Sequence, residues 1–188
     1  MKIIDLLTQD KPTLSFEVFP PKTSDTYDAV AGATQAIATL RPDFMSVTYG
    51  AGGGTSDYTV GIASGIREQY GVEVLAHLTC ASSTREHVAH VLEQLKARGI
   101  ENVLALRGDI PEGGALAHDY HYAAELVRDI KARGDFCVGG ACYPEGHPDS
   151  PTKNADMDHL KEKMEAGCQF FTTQMFFDNN ILYNFLYR

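Results

Sequence analysis

The 188-residue chain is 44% apolar and carries 16 Lys and Arg against 25 Asp and Glu, a formal net charge of −9 with a pI near 5.1. This length supports one sizeable core rather than two ordinary domains, so residues 1–188 read as a single domain. The acidic balance argues against nucleic acid, which demands clustered Lys and Arg, and no apolar run approaches the ~20 residues that span a bilayer.

The N-terminal MKIIDLLTQD carries Asp5 and Asp10 and lacks the long apolar segment and cleavage site of a signal peptide. Cys80, Cys137, Cys142 and Cys168 show neither CxxC spacing nor a dense framework. They read as reduced thiols of a cytoplasmic protein that handles small molecules. Cys142 and His147 have metal-ligand chemistry but no matching cluster, so no metal is expected.

Strand candidates begin near Leu14, Asp43, Val72, Glu101, Asp135 and Cys168, the first four starts lying 29 residues apart. Their β-branched and aromatic runs are mostly continuous, as in strands covered on both faces. Helical patterns fill the intervals: Tyr27–Leu40, Tyr58–Tyr70, Arg85–Arg98, Tyr120–Arg133 and Ala155–Ala166. In the third, Val88, Val91, Leu92 and Leu95 share one face, with Ser83 or Thr84 as N-cap. Helix-to-strand connections are short and carry Gly71, Gly99, Gly134 and Gly167, suited to the left-handed C-cap conformation. Strand-to-helix connections are longer and rich in Gly and Pro, and chemistry gathers on that side of α/β folds.

Repeated βα units allow an open doubly wound sheet or a (β/α)8 barrel. Six strands are present, where a barrel of about 250 residues has eight. Periodicity leaves that choice open.

The strand ends carry the candidate chemistry. Glu17 lies inside the apolar run FEVF, where burial raises a carboxyl pKa toward general-acid duty; the alternative is a structural ion pair. SVTYGAGGGTSD lacks both GK[ST] and a complete GxGxxG, so it reads as a turn or as thin backbone for a flat ring. His77 and Thr79 point the same way at the end of AHLT. ALRGD sets Arg107 and Asp109 about Gly108, either as an ion pair or as site residues. YPEGHP offers Tyr143 and His147. Asp156, His159 and Lys163 form a polar stripe beside an apolar one of Met157, Leu160 and Met164. That polar stripe is either a solvated face or, through Lys163, a phosphate contact. Gln174 among aromatics reads as a buried amide that needs partners. His87, His90, His118 and His121 lack ligand spacing and read as surface residues.

Taken together and in order, FEVFPPKT, SVTYGAGG, AHLTC, ALRGD, YPEGHP and TTQMFFD resemble methylenetetrahydrofolate reductase of the bacterial, FAD-dependent type over essentially the whole chain. The resemblance implies a (β/α)8 TIM barrel that holds FAD across the carboxyl ends of its strands. It implies NAD(P)H as hydride donor and ping-pong reduction of 5,10-methylenetetrahydrofolate to 5-methyltetrahydrofolate in one-carbon and methionine metabolism. By the same resemblance Glu17 is the general acid, and Asp109 sits near flavin and folate. Thr48, Tyr49, Ala51, His77, Arg107, Gly108, Asp109, Tyr122, Ala123, Tyr143, His147, Asp156 and Lys163 match flavin-contacting positions. So does His159, where the residue type varies within the family. Glu17, Asp109 and Gln174 would meet the folate. Full-length members are expected to be homo-oligomers, with a small-molecule folate substrate and neither nucleic acid nor membrane as partner.

The family's barrel continues through two further strands, so the expectation here is an incomplete barrel with its first and sixth strands left as edges. Two other readings remain open at this stage. A flavin-free folate-dependent methyl transferase predicts colourless protein. A non-catalytic fragment predicts flavin uptake only beside a complementing C-terminal segment.

Overall fold

The computed structural model describes residues 1–21, 26–49, 56–109 and 119–188. Among them six parallel strands form one curled half-barrel: β1 (Ser15–Val18), β2 (Phe44–Val47), β3 (Glu73–Thr79), β4 (Asn102–Leu106), β5 (Cys137–Cys142) and β6 (Phe170–Thr173). They lie side by side in chain order, and β1 and β6 are its edges. Helices α2 (Tyr27–Ala38), α3 (Ser56–Tyr70), α4 (Arg85–Ala97), α5 (Ala123–Arg133) and α6 (Lys153–Glu165) connect successive strands, and α7 (Asn179–Tyr187) follows β6. This is an incomplete TIM-barrel-like fold. Strand starts and helix bounds lie within three residues of those expected from sequence, and the terse helix-to-strand connections are among the described residues.

Alternation sorts each strand onto two faces. Met45, Val47, Val74, Ala76, Leu78, Val103, Ala105 and Val138 join the large core beneath the helices, to which α4 contributes Val88, Val91, Leu92 and Leu95. Thr84, not Ser83, caps α4 by accepting from the His87 backbone N–H at 3.1 Å. The opposite, concave face carries Leu75 and Leu104, with Phe44, Leu106 and Phe170 against them. Phe170 lies over Gly139, where an added Cβ would collide with its ring. A large side chain on one strand thus requires the absence of one on its neighbour.

A short N-terminal helix, α1 (Ile3–Leu7), closes the amino-terminal end of the concave face, an element the sequence pattern does not announce. Ile3 and Leu6 pack on Leu75 and Leu104. Asn102, buried at the start of β4, accepts from the Ile3 N–H at 2.8 Å and donates to the Met1 and Val74 carbonyls at 3.1 and 3.2 Å. The terminal ammonium of Met1 pairs with Glu73 at 3.0 Å, and Lys2 with Asp135 at 2.6 Å.

Two local expectations are corrected. Gly71, Gly99 and Gly167 take positive φ, but Gly134 has φ 164°, an extended conformation open to any residue. The left-handed residue after α2 is instead Arg41, at φ 54°. In α6 only Leu160 of the expected apolar stripe is buried; Met157 is half-buried and Met164 is 60% exposed. α7 buries none of its residues, and Met175, Phe177, Tyr183, Leu186 and Tyr187 are exposed beside β6. No helix is long and apolar enough to cross a membrane among the described residues. All four cysteines are free and buried. Burial pushes Cys80 up to about 12 and Cys168 up to about 11.

Candidate active site

The turn after β4 shapes the floor of the site. Gly108 has φ 83°, and a Cβ there would lie 2.9 Å from the Thr79 Cβ at the end of β3. Only glycine accommodates both the backbone and the contact, and it sets Arg107 and Asp109 on either side of a tight bend.

Around this floor a cleft of about 560 Å3 opens at the carboxyl ends of β2 to β6. Twelve residues singled out in the sequence line it: Tyr49, Arg107, Gly108, Asp109, Tyr122, Ala123, Tyr143, His147, Asp156, His159, Lys163 and Gln174. The polar stripe of α6 therefore faces the cleft rather than solvent. Asp156 is only 6% exposed and accepts from the His147 backbone N–H at 3.1 Å. Lys163 donates to the Ala141 carbonyl at 2.8 Å and forms no ion pair among the described residues; burial lowers its pKa. His147 accepts from the Asp149 N–H through Nδ1 at 3.1 Å, which leaves its proton on Nε2 when the ring is neutral, and it packs edge-on to Tyr143 at 4.6 Å. Burial, and next the Asp109 carboxylate, raise the Tyr143 phenol. Tyr122 stacks on His159 at 4.6 Å, while His159 Nδ1 lies 3.2 Å from a Glu162 oxygen. Thr79, singled out beside His77 at the end of β3, is a thirteenth; Ser82, Asp149 and Glu162 also line the cleft and were not anticipated. They sit on loops or on a helix face whose direction only the fold sets.

Glu17, Thr48 and His77 do not line this cleft. Glu17 and His77 form a second group on the concave face of β1 to β3, with Ser46. The Ser46 hydroxyl donates to Glu17 Oε2 at 3.3 Å, and His77 Nε2 lies 3.4 Å from the same oxygen without hydrogen-bond alignment. Burial lowers His77 to about 4, so it presents a neutral ring to Glu17 at pH 7. Thr79, two residues further along the same face, links this group to the cleft. Thr48 serves the backbone: its N–H bonds Val18 O and its carbonyl accepts from Thr59, both at 3.0 Å.

Four expectations fail here. Glu17 is not sealed in an apolar strand interior: β1 is an edge, and the side chain is 46% exposed. Gln174 is exposed rather than buried, because it follows an edge strand whose Thr172 and Thr173 are exposed too, and its backbone N–H reaches Cys142 O at 2.7 Å. Arg107 pairs not with Asp109 but with Asp149, at 2.5 Å. His87 is no free surface residue: its Nε2 lies 2.8 Å from the buried Tyr49 hydroxyl. Ala51, the glycine cluster around it and His118 lie outside the described residues.

A curled sheet of parallel βα units, with its cleft at the carboxyl ends of the strands, defines a TIM-barrel-type protein. The fold is shared with oxaloacetate acetylhydrolase, whose structure superposes with a TM-score of 0.69 over 99% of this chain and 66% of that one, at 12% identity. Sequence is more specific: the family model for methylenetetrahydrofolate reductase matches residues 2–188, and the chain belongs to that family. It is 41% identical to the 5,10-methylenetetrahydrofolate reductase of Pectobacterium carotovorum over 90% of its length. It is 36% identical, over 99% of its length, to a protein of Arabidopsis thaliana named methylenetetrahydrofolate reductase (NADH) 1. The chain spans 56% of the bacterial relative and 35% of the plant one.

Proposed function

We propose that this chain supplies the flavin-holding face of an enzyme that reduces 5,10-methylenetetrahydrofolate to 5-methyltetrahydrofolate with NAD(P)H. The observation that carries the reading is the convergence of residues from five strand ends on one cleft of about 560 Å3, within the range of cofactor pockets. The donor set suits a phosphate-bearing flavin. Tyr49, Tyr122 and Tyr143 offer aromatic surface, while Arg107 and Lys163 offer positive charge. Lys163 has three donors, of which the structure engages one, with Ala141, and it has no carboxylate partner among the described residues. An anion would relieve its desolvation.

FAD, when bound, supplies the hydride relay between the nicotinamide and the folate, in two half-reactions. The protein's part is orientation and proton handling. Arg107 and Lys163 hold the cofactor's charge, His147 and Asp156 brace the loop above it, and Asp109 borders both ligands. Glu17 donates the proton that opens the folate's one-carbon bridge. Its exposure gives substrate access, Ser46 orients one oxygen, and neutral His77 adds no cation that would tie Glu17 up in an ion pair. Gln174, free at the rim, is available to a folate amide or carbonyl.

Two half-reactions give a clean test. Purified protein is mixed with FAD and NADH, then with methylenetetrahydrofolate, while flavin absorbance is followed. Glu17→Gln should bleach with NADH as the parent does yet fail to reoxidise with folate. Loss of both steps would contradict the role of Glu17, and absence of flavin binding would contradict the reading as a whole. Nothing in the structure favours the methyl transferase alternative.

A further inference from the structure

We propose that Asp149 is an internal counter-ion that occupies the anion-binding position of Arg107, so that a phosphate-bearing ligand enters the cleft by displacing it. The identity of that ligand as a flavin dinucleotide rests on the function proposed above; the displacement itself does not.

The geometry separates the two partners. Arg107 is anchored at the cleft floor, where Nε donates to the Gly108 carbonyl at 3.3 Å and Nη2 reaches Asp149 Oδ2 at 2.5 Å. Asp149 sits on the loop between β5 and α6, with a 58% exposed side chain. Arg107 holds its carboxyl below the usual range. One oxygen on one guanidinium nitrogen is a single-point contact, and an exposed ion pair of this kind is weak and screened by solvent. A phosphate brings more charge and a bidentate match to the guanidinium fork. Asp156, by contrast, is buried and engaged by the His147 N–H, so it is not free to leave.

The charge balance of the cleft points the same way. Among the described lining residues two cations, Arg107 and Lys163, face four acids: Asp109, Asp149, Asp156 and Glu162. Asp149 is one of the four negative charges that an incoming anion meets, and its displacement into solvent lowers that repulsion where it is nearest Arg107. The loop has a built-in pivot, because the Asp149 and Ser150 N–H groups both hang on His147, through Nδ1 at 3.1 Å and the carbonyl at 3.0 Å.

Calorimetric titration of the full chain and of Asp149→Asn with FAD, riboflavin and inorganic pyrophosphate tests this. Asp149→Asn should bind FAD and pyrophosphate about fivefold more tightly, the equivalent of about 1 kcal/mol for an exposed pair, and riboflavin unchanged. Asp149→Ser, which keeps no carboxylate, should match it. Weaker or equal pyrophosphate binding by both variants would overturn the proposal, because Asp149 would then position Arg107 rather than compete for it. So would an equal gain for riboflavin, or no pyrophosphate binding by any of the proteins. If FAD fails to bind while the variants still gain on pyrophosphate, the flavin reading falls and the counter-ion stands. If FAD binds and the variants gain nothing, the reverse holds.

Discussion

Replacing Gly108 with Ala perturbs backbone and packing together, and two other glycines separate the contributions. Gly71 has φ 66° with nothing within 4 Å of an added Cβ, so Gly71→Ala measures left-handed strain alone, about 1–2 kcal/mol. Gly134 is extended, and an added Cβ would meet the Phe136 ring at 3.4 Å and Lys96 Nζ at 3.7 Å, both ordinary contacts. Gly134→Ala should therefore be neutral or stabilising by up to about 1 kcal/mol through the unfolded state. Gly108→Ala incurs the strain of Gly71 and, in addition, contacts of 2.9 Å to Thr79 Cβ and 3.2 Å to Cγ2. Thr79 is buried, so the clash cannot be relieved by swinging into solvent, and overpacking of this kind costs about 1–3 kcal/mol. The expected total is about 2–5 kcal/mol, the sum of left-handed strain and overpacking. Urea unfolding of the three variants, compared at constant m, reads each value. A Gly108→Ala loss no larger than that of Gly71→Ala would refute the claim that β3 and the β4 turn are in obligatory contact beneath the cleft.

Asn102→Ala should cost about 2–4 kcal/mol, because it removes the buried hydrogen bonds that tie the Ile3 N–H and the Met1 and Val74 carbonyls together at the closed end of the sheet. Hydrogen exchange should accelerate first in α1, and unchanged protection there would argue against its role as a plug. His77 titrates at about 4 when folded, against an ordinary histidine value of 6.5, so the unfolded chain binds more protons in between. Stability therefore falls as pH drops from about 6.5 toward 4, by about 3 kcal/mol at most for this one group, and His77→Gln should flatten that limb of the urea midpoint against pH. An identical pH dependence in the variant would show that other groups produce it.

Sequence by itself determined the order and kind of the elements from β1 onward. The 29-residue spacing, continuous β-rich runs and asymmetric loops are local signals, each carried by residues close in the chain. Strand-end position pointed to Arg107, Asp109, Tyr143 and His147, while the resemblance to the reductase family supplied others of the cleft, such as Tyr122 and Ala123. Helix α1 escaped it, because five residues carry too little periodicity and their stability comes from Asn102, 99 residues away from Ile3.

Tertiary structure decided the pairings and the burial. Which acid meets Arg107 depends on where the β5–α6 loop folds back, so adjacency in ALRGD misled and Asp149 was missed. Whether the α6 polar stripe faces water or cleft depends on the helix's rotation against β5, and Lys163 to Ala141 settles it inward. The exposure of Glu17 follows from its place on an edge strand, which an apolar run in the sequence does not reveal. Chain-local chemistry chooses strand, helix and turn; desolvation and charge belong to neighbours that only the folded sheet brings together.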